Sequence, residues 1–251
     1  MKKSPLLNVI TSTLQKVARD LIRDFGEVEN LQVSRKGAGD FVSQADKQSE
    51  ERLIYLLGKA RPRFDFLAEE SGAKEAEDSG EVEGTWIIDP LDGTSNFLHG
   101  LPHFCITVAV KKNDDIIAGA TYDPIRDEMF MAEKGGGAFL NNRRLRVSER
   151  SNLDSSLISV GRLPRDRVHK LEQSGLFLRC TGSTALDMAY IAAGRMDGGI
   201  YGHAKPWDVA AGMVLVREAG GFVQNIDSNT PAKWDAEGII VTNSRLNLRA
   251  D

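Results

Sequence analysis

The run Trp86-Ile87-Ile88-Asp89-Pro90-Leu91-Asp92-Gly93-Thr94-Ser95-Asn96-Phe97 constrains the fold of this chain more than any other segment. A short apolar stretch, Trp86 to Ile88, delivers two carboxylates into a proline and glycine turn. Such a stretch reads as a buried strand. Pro90 lacks the N–H that a sheet ladder needs, so the strand is expected to stop there. Gly93 supplies backbone freedom at the turn, and Thr94 and Ser95 are good helix N-caps. Strand end and helix start together bring Asp89, Asp92, the Leu91 carbonyl and the first helical amides to one point. Acids bind a hard cation such as Mg²⁺ through oxygen, and helix-start amides bind phosphate. The expected ligand is therefore a phosphate held between a cation and the backbone. A lone Asp-Pro-x-Asp is more often a turn with polar caps; the partner motifs reverse that balance.

Three further motifs accompany this segment. Phe64-Asp65-Phe66-Leu67-Ala68-Glu69-Glu70-Ser71 is a second strand-like run ending in acids. Two strands ending at the same sheet edge would bring Glu69 beside Asp89; Glu70 reads as an outlying or surface acid. In Pro206-Trp207-Asp208-Val209-Ala210-Ala211-Gly212, Asp208 opens a pattern in which Val209, Met213 and Val216 recur at helical spacing. Taken alone, Asp208 reads as a helix cap. In Lys36-Gly37-Ala38-Gly39-Asp40-Phe41-Val42-Ser43-Gln44-Ala45-Asp46, Ser43 and Asp46 have the spacing of a capping box. The helix they would start carries Leu53, Ile54 and Leu57 and must stop before Pro62.

Asp89-Pro90-Leu91-Asp92-Gly93-Thr94-Ser95-Asn96-Phe97, with the Glu69-Glu70-Ser71 and Trp207-Asp208 motifs in order, resembles the inositol monophosphatase family, in its bacterial inositol-1-monophosphatase branch. The likeness runs from about Lys36 to Asn243. It implies a Mg²⁺-dependent, lithium-sensitive phosphatase of phosphate monoesters, inositol monophosphate foremost. It also implies a layered αβαβα sandwich of two β-sheets. Residues 1–150 would form an α+β half carrying most metal ligands. Residues 151–251 would form an α/β half carrying Asp208 and the substrate wall.

The resemblance also distributes roles. Glu69, Asp89 and the Leu91 carbonyl hold one metal; Asp89, Asp92 and Asp208 hold a second. Thr94 and Glu69 orient the attacking water. Gly93 and Thr94 amides receive phosphate oxygens. Asp92, Asp208, Gly182, Ser183 and Thr184 line the alcohol side. Asp46 holds waters around an additional, weaker metal, and Lys36 reads equally as a phosphate neighbour or a solvated loop lysine. Bare carboxylates about 4 Å apart repel by about 4 kcal/mol per pair at an effective dielectric near 20. Two Mg²⁺ ions relieve that repulsion and clamp the attacking and leaving oxygens of an in-line displacement. Oxygen-only ligands also suit Mn²⁺.

Two departures from the family stand out. The position of its inositol-binding glutamate, seven residues before Asp208, is Tyr201, and the C-terminal helix looks short or missing after Asn243. Tyr201 leaves the physiological alcohol open. Fructose 1,6-bisphosphate, histidinol phosphate and adenosine 3′,5′-bisphosphate are the rival substrates. A second phosphate would need a basic pocket, for which Arg162, Arg165 and Lys205 are the nearby candidates. A reading of another class is a regulatory protein that binds the transcription machinery through Arg143, Arg144 and Arg146. A solvated hairpin explains those arginines as well.

Composition excludes several other classes. A net charge of −4 gives no general pull toward nucleic acid. Two cysteines and four histidines offer no zinc spacing, and no Gly-x-x-x-x-Gly-Lys-Ser/Thr loop exists. Cys105 and Cys180 read as buried thiols of a reducing, cytoplasmic compartment. The stretch after Met1-Lys2-Lys3 is too polar for a signal segment. Leu6, Ile10, Leu14, Val17 and Leu21 mark an amphipathic helix instead, and no membrane span is expected. Residues 104–110, 116–122 and 128–132 read as an antiparallel meander followed by a hairpin. Strands are expected near 157–160, 176–180, 199, 222 and 239, with helices near 167, over 182–194 and from Asp208. Family likeness implies a homodimer.

Overall fold

The computed structural model describes residues 3–31, 38–78 and 80–249. Helix α1 (Pro5–Leu31) buries Ile10, Leu14, Val17 and Leu21 along one stripe. Each such side chain contributes about 1.5–3 kcal/mol by leaving water. Helix α2 (Ala38–Ala60) packs beside α1 and, as expected, ends before Pro62. It begins earlier than the capping-box reading placed it. Ser43 and Asp46 lie within the helix rather than at its mouth, where backbone geometry no longer permits the box.

Both helices cover one face of an eight-stranded sheet. Its strands are β1 (Phe64–Ala68), β2 (Gly72–Lys74), β3 (Gly84–Asp92), β4 (Cys105–Lys112), β5 (Asp115–Asp123), β6 (Glu128–Glu133), β7 (Gly137–Leu140) and β8 (Arg143–Arg144), with the five-residue helix α3 (Thr94–Leu98) after β3. The order is β2-β1-β3-β4-β5-β6-β7-β8. Strands β3 to β8 form the expected antiparallel meander and hairpin, whereas β1 runs parallel to β3. Arg143, Arg144 and Arg146 are exposed, and Leu145 between them is buried.

The second sheet holds β9 (Leu157–Gly161), β10 (Phe177–Arg179), β11 (Gly198–Tyr201), β12 (Phe222–Asn225) and β13 (Ile239–Thr242), in the order β10-β9-β11-β13-β12. Helix α4 (Arg165–Gln173) lies on its outer side near β10. Helices α5 (Thr184–Ala192) and α6 (Pro206–Glu218) fill the space between the sheets. The result is the expected αβαβα stacking. One core lies between α1/α2 and the first sheet, a second around α5 and α6, and a third on the outer face of the second sheet. Helices α5 and α6 are apolar nearly all round because both faces meet a sheet or each other.

Three local expectations are corrected. Strand β3 does not stop at Pro90. It continues to Asp92 through a register shift between Asp89 and Asp92, so the missing N–H falls where the ladder is already interrupted. Cys180 is exposed, because it follows β10, an edge strand paired only with β9; Cys105 is buried as expected. Neither Thr94 nor Ser95 caps α3. That position is Gly93, with φ of +97°, where a Cβ would stand 2.9 Å from the His103 carbonyl. Only glycine satisfies both the backbone angle and the space. Among the described residues, no helix is long and apolar enough to cross a membrane, and none follows β13.

Candidate metal centre and its family

The parallel pairing of β1 with β3 sets Ala68 opposite Ile88, so both strands deliver their acids at one sheet edge. The Glu69 amide donates to the Ile88 carbonyl at 3.2 Å. The Leu91 amide donates to Asp89 Oδ1 at 2.9 Å, which fixes the turn between the aspartates. Asp208 arrives from the other side of the molecule, in the first turn of α6. Lys205 is the cap of that helix and Pro206 opens it. Asp208 is therefore no N-cap, but its charge complements the helix dipole.

Glu69, Asp89, Leu91, Asp92, Gly93, Thr94, Ser95, Arg162, Gly182 and Asp208 line one cavity of about 260 Å³. Ligand oxygens of Asp89, Asp92 and Asp208 all lie within 4.8 Å of one another. Thr94 Oγ1 donates to the Leu91 carbonyl at 3.0 Å. Ser183 is buried, and its hydroxyl donates to Asp92 Oδ2 at 2.6 Å. The Ala185 amide donates to the same oxygen at 2.8 Å. Thr184 opens α5 beside them and is partly buried. Asn96 Nδ2 donates to the His103 carbonyl at 2.7 Å and the Thr181 carbonyl at 2.9 Å, which ties α3 to the turn before α5.

The acids strain against one another. Burial, then Asp92, Glu69 and Asp208, push the Asp89 carboxyl well above the usual range. Asp92 is pushed up to about 7 by burial and then by Asp208, with Ser183 and Ala185 opposing. Burial likewise raises Glu69 and Asp208, with Arg162 opposing in both cases. Asp46 is buried, has an Oδ1 without a hydrogen-bond partner among the described residues, and is raised to about 8 by burial and then by Glu70, Glu69 and Glu50. Glu70 is exposed. Converging oxygen donors with no nitrogen or sulfur ligand among them suit a hard divalent cation. The acid cluster fits such an ion on its donor chemistry and spacing. Lys36 lies outside the described residues.

Two residues bear on the alcohol side: Tyr201, which sits differently from the reading of the sequence, and Arg162, one of its nearby basic candidates. Tyr201 is fully buried in the core and does not line the cavity. Its ring folds back over Gly199 and against Gly161. A Cβ at Gly199 would lie 2.6 Å from the Tyr201 hydroxyl, and one at Gly161 would lie 3.0 Å from the ring. This slot of two glycines draws the side chain away from the site. Arg162 is the second. It enters the cavity, with Nη1 3.4 Å from Asp208 Oδ2.

The molecule is a layered α/β protein with an oxygen-only acid cluster at a strand–helix junction that could hold a metal ion. A family model described as "Inositol monophosphatase family" matches residues 2–250. The chain belongs to that family. It is 50% identical over 238 residues to a Mesorhizobium japonicum protein named inositol-1-monophosphatase, covering 90% of this chain and 88% of that one. A Xylella fastidiosa protein named Nus factor SuhB is 36% identical over 94% of this chain and 87% of its own length. A crystal structure of the extragenic suppressor protein suhB from Bartonella henselae superposes with a TM-score of 0.85 at 41% identity, covering 96% of this chain and 95% of that one.

Proposed function

We propose that this protein hydrolyses phosphate monoesters, inositol monophosphate foremost, in a Mg²⁺-dependent reaction. The convergence of Asp89, Asp92 and Asp208 carries the reading, since their oxygens lie within 4.8 Å of one another beside the Leu91 carbonyl. Bound Mg²⁺, two or three ions or Mn²⁺ in its place, would supply positive charge that acidifies a water and offsets charge on the phosphate.

The chain's own groups do the rest. Glu69 and the Thr94 hydroxyl orient the attacking water, and Thr94 is held in place by its bond to Leu91. Glu69, Asp89 and the Leu91 carbonyl would hold one ion, and Asp89, Asp92 and Asp208 would hold a second. The Gly93 and Thr94 amides, at the start of α3, receive phosphate oxygens. Gly182 and Thr184 line the alcohol side, and Ser183 holds Asp92 from behind. Asp46 would hold waters around a weaker outer cation.

In this reading residues 1–150 supply most cation ligands and residues 151–251 supply Asp208 and the alcohol wall. The protein works as a cytoplasmic homodimer. The test is hydrolysis with Mg²⁺ of inositol 1-phosphate, glycerol 2-phosphate, fructose 1,6-bisphosphate, histidinol phosphate and adenosine 3′,5′-bisphosphate. Release of inorganic phosphate from inositol 1-phosphate that ceases in EDTA supports the reading; activity in excess EDTA overturns it.

A second reading rests on the relatives named Nus factor SuhB and on exposed Arg143, Arg144 and Arg146. They support a contact with the transcription machinery through that hairpin. Complementation of a suhB-deficient bacterium by a metal-site variant, lost when the three arginines are replaced, would establish it.

A further inference from the structure

Strands β9 and β11 run parallel, and their last residues, Gly161 and Tyr201, are paired. In open α/β sheets ligands bind in the crevice beyond the carboxyl ends of such strands. Beyond these two ends stand two non-glycine residues with left-handed backbone, Arg162 and His203, each with φ of 52°. Strained residues of this kind cluster at ligand sites. Arg162 Nη1 donates to the His203 carbonyl at 3.2 Å, which locks the two bends together.

Behind Arg162 opens a second cavity of about 260 Å³. Arg162 is shared between the acid cavity and this one, and Arg167 of α4 adds a second guanidinium to its lining. Asp227 and Glu237 also line it and can accept hydrogen bonds from hydroxyls. Asp208, 3.4 Å from Arg162, faces the alcohol side in the reading above. A substituent on the leaving alcohol therefore meets Arg162 first. A guanidinium fork meets a carboxylate or a phosphate with two parallel charge-assisted hydrogen bonds, a match that a neutral hydroxyl does not offer.

We propose that Arg162 and Arg167 form an anion subsite that, beside inositol monophosphate, admits phosphate monoesters whose alcohol carries a second anionic group and favours them over small neutral esters. The inference rests on the phosphatase reading and deepens it. The shared chemistry is an oxyanion, supplied by a carboxylate or by a second phosphate.

The experiment compares kcat/KM with Mg²⁺ for glycerol 2-phosphate, glycerate 2-phosphate and fructose 1,6-bisphosphate, in the wild type, Arg162→Gln, Arg162→Lys and Arg167→Gln. The wild type should favour at least one anionic substrate over glycerol 2-phosphate by tenfold or more, and the favoured substrate tells carboxylate from phosphate. Arg162→Gln should cut that preference at least tenfold, chiefly through KM, while Arg162→Lys keeps part of it. A wild type that treats the three esters alike overturns the subsite. So does an Arg162→Gln variant that lowers all three equally, which would make Arg162 only a partner of Asp208. Hydrolysis of none of the three esters, nor of inositol 1-phosphate assayed beside them, would overturn the phosphatase reading itself, a distinguishable result.

Discussion

Asp92 and Ser183 are 91 positions apart in the chain, yet the Ser183 hydroxyl donates to Asp92 Oδ2 at 2.6 Å. With the Ala185 amide on the same oxygen, one carboxylate both faces the acid cluster and caps α5. Partners that orient a metal ligand are typically worth about 10–100-fold in metal affinity. Ser183→Ala should therefore raise the Mg²⁺ concentration for half-maximal activity by about that factor, with little change at saturating Mg²⁺. A Mg²⁺ titration of activity decides it; an unmoved midpoint would show that Ala185 alone suffices.

Asp89 is the acid most hemmed in by the others. Asp89→Asn should abolish turnover while leaving the fold intact. It should also remove the rise in thermal midpoint that Mg²⁺ gives the wild type, because ligand binding stabilises only through a site that exists. Without Mg²⁺ the variant should be at least as stable as the wild type, since one buried like charge is gone. Calorimetry with and without Mg²⁺ checks both statements, and wild-type activity should fall with Li⁺.

For Thr94→Ala we expect kcat to fall about 10²–10⁴-fold, the usual loss for a positioned proton relay, with KM nearly constant. The hydroxyl also bonds the Leu91 carbonyl, so the variant's thermal midpoint must be measured beside its kinetics. Full kcat would leave Thr94 a structural link only.

Among the described residues the Tyr201 hydroxyl makes no hydrogen bond of good geometry, with Ser159 the hydroxyl that acts on it at longer reach. Removing an unsatisfied buried hydroxyl is neutral or favourable. Tyr201→Phe should thus leave stability equal or up to about 1 kcal/mol higher, with the ranking of substrates unchanged. A reordered ranking would mean that the ring reaches the substrate after all.

Asp187 is buried in α5 and accepts hydrogen bonds from Ser159 and Thr181. Burial still raises it from 3.8 to about 6. A raised folded value means that the folded state holds a proton which the unfolded state has lost between 3.8 and about 6. Stability from this group is full below 3.8, falls as pH rises through that window, and stays reduced above it. The loss is of order 3 kcal/mol for a shift of this size. In Asp187→Asn the fall in unfolding free energy between pH 4 and 7 should be smaller by up to that amount. Urea denaturation across the range measures it, and identical pH profiles would refute the assignment.

Much was legible in the primary structure because its signals are local. The apolar run before Asp89, the helical recurrence of Val209, Met213 and Val216, and the α1 stripe each follow from the period of one element. Asp89 and Asp92 stand out because the strand and turn that carry them are local, whereas Glu69 and Asp208 join the site only through the resemblance to the family, Asp208 alone reading as a helix cap. What the chain alone left undecided depends on where distant elements meet. The α2 start, the bulge that carries β3 past Pro90 and the exposure of Cys180 depend on neighbouring strands and helices. Ser183 behind Asp92 and Arg162 against Asp208 are pairings between elements far apart in the chain. Tyr201 is the clearest case. Its spacing to Asp208 suggests a place on the alcohol side, but the side chain lies in the core against Gly161 and Gly199, whose missing side chains leave a slot that only the assembled sheet contains.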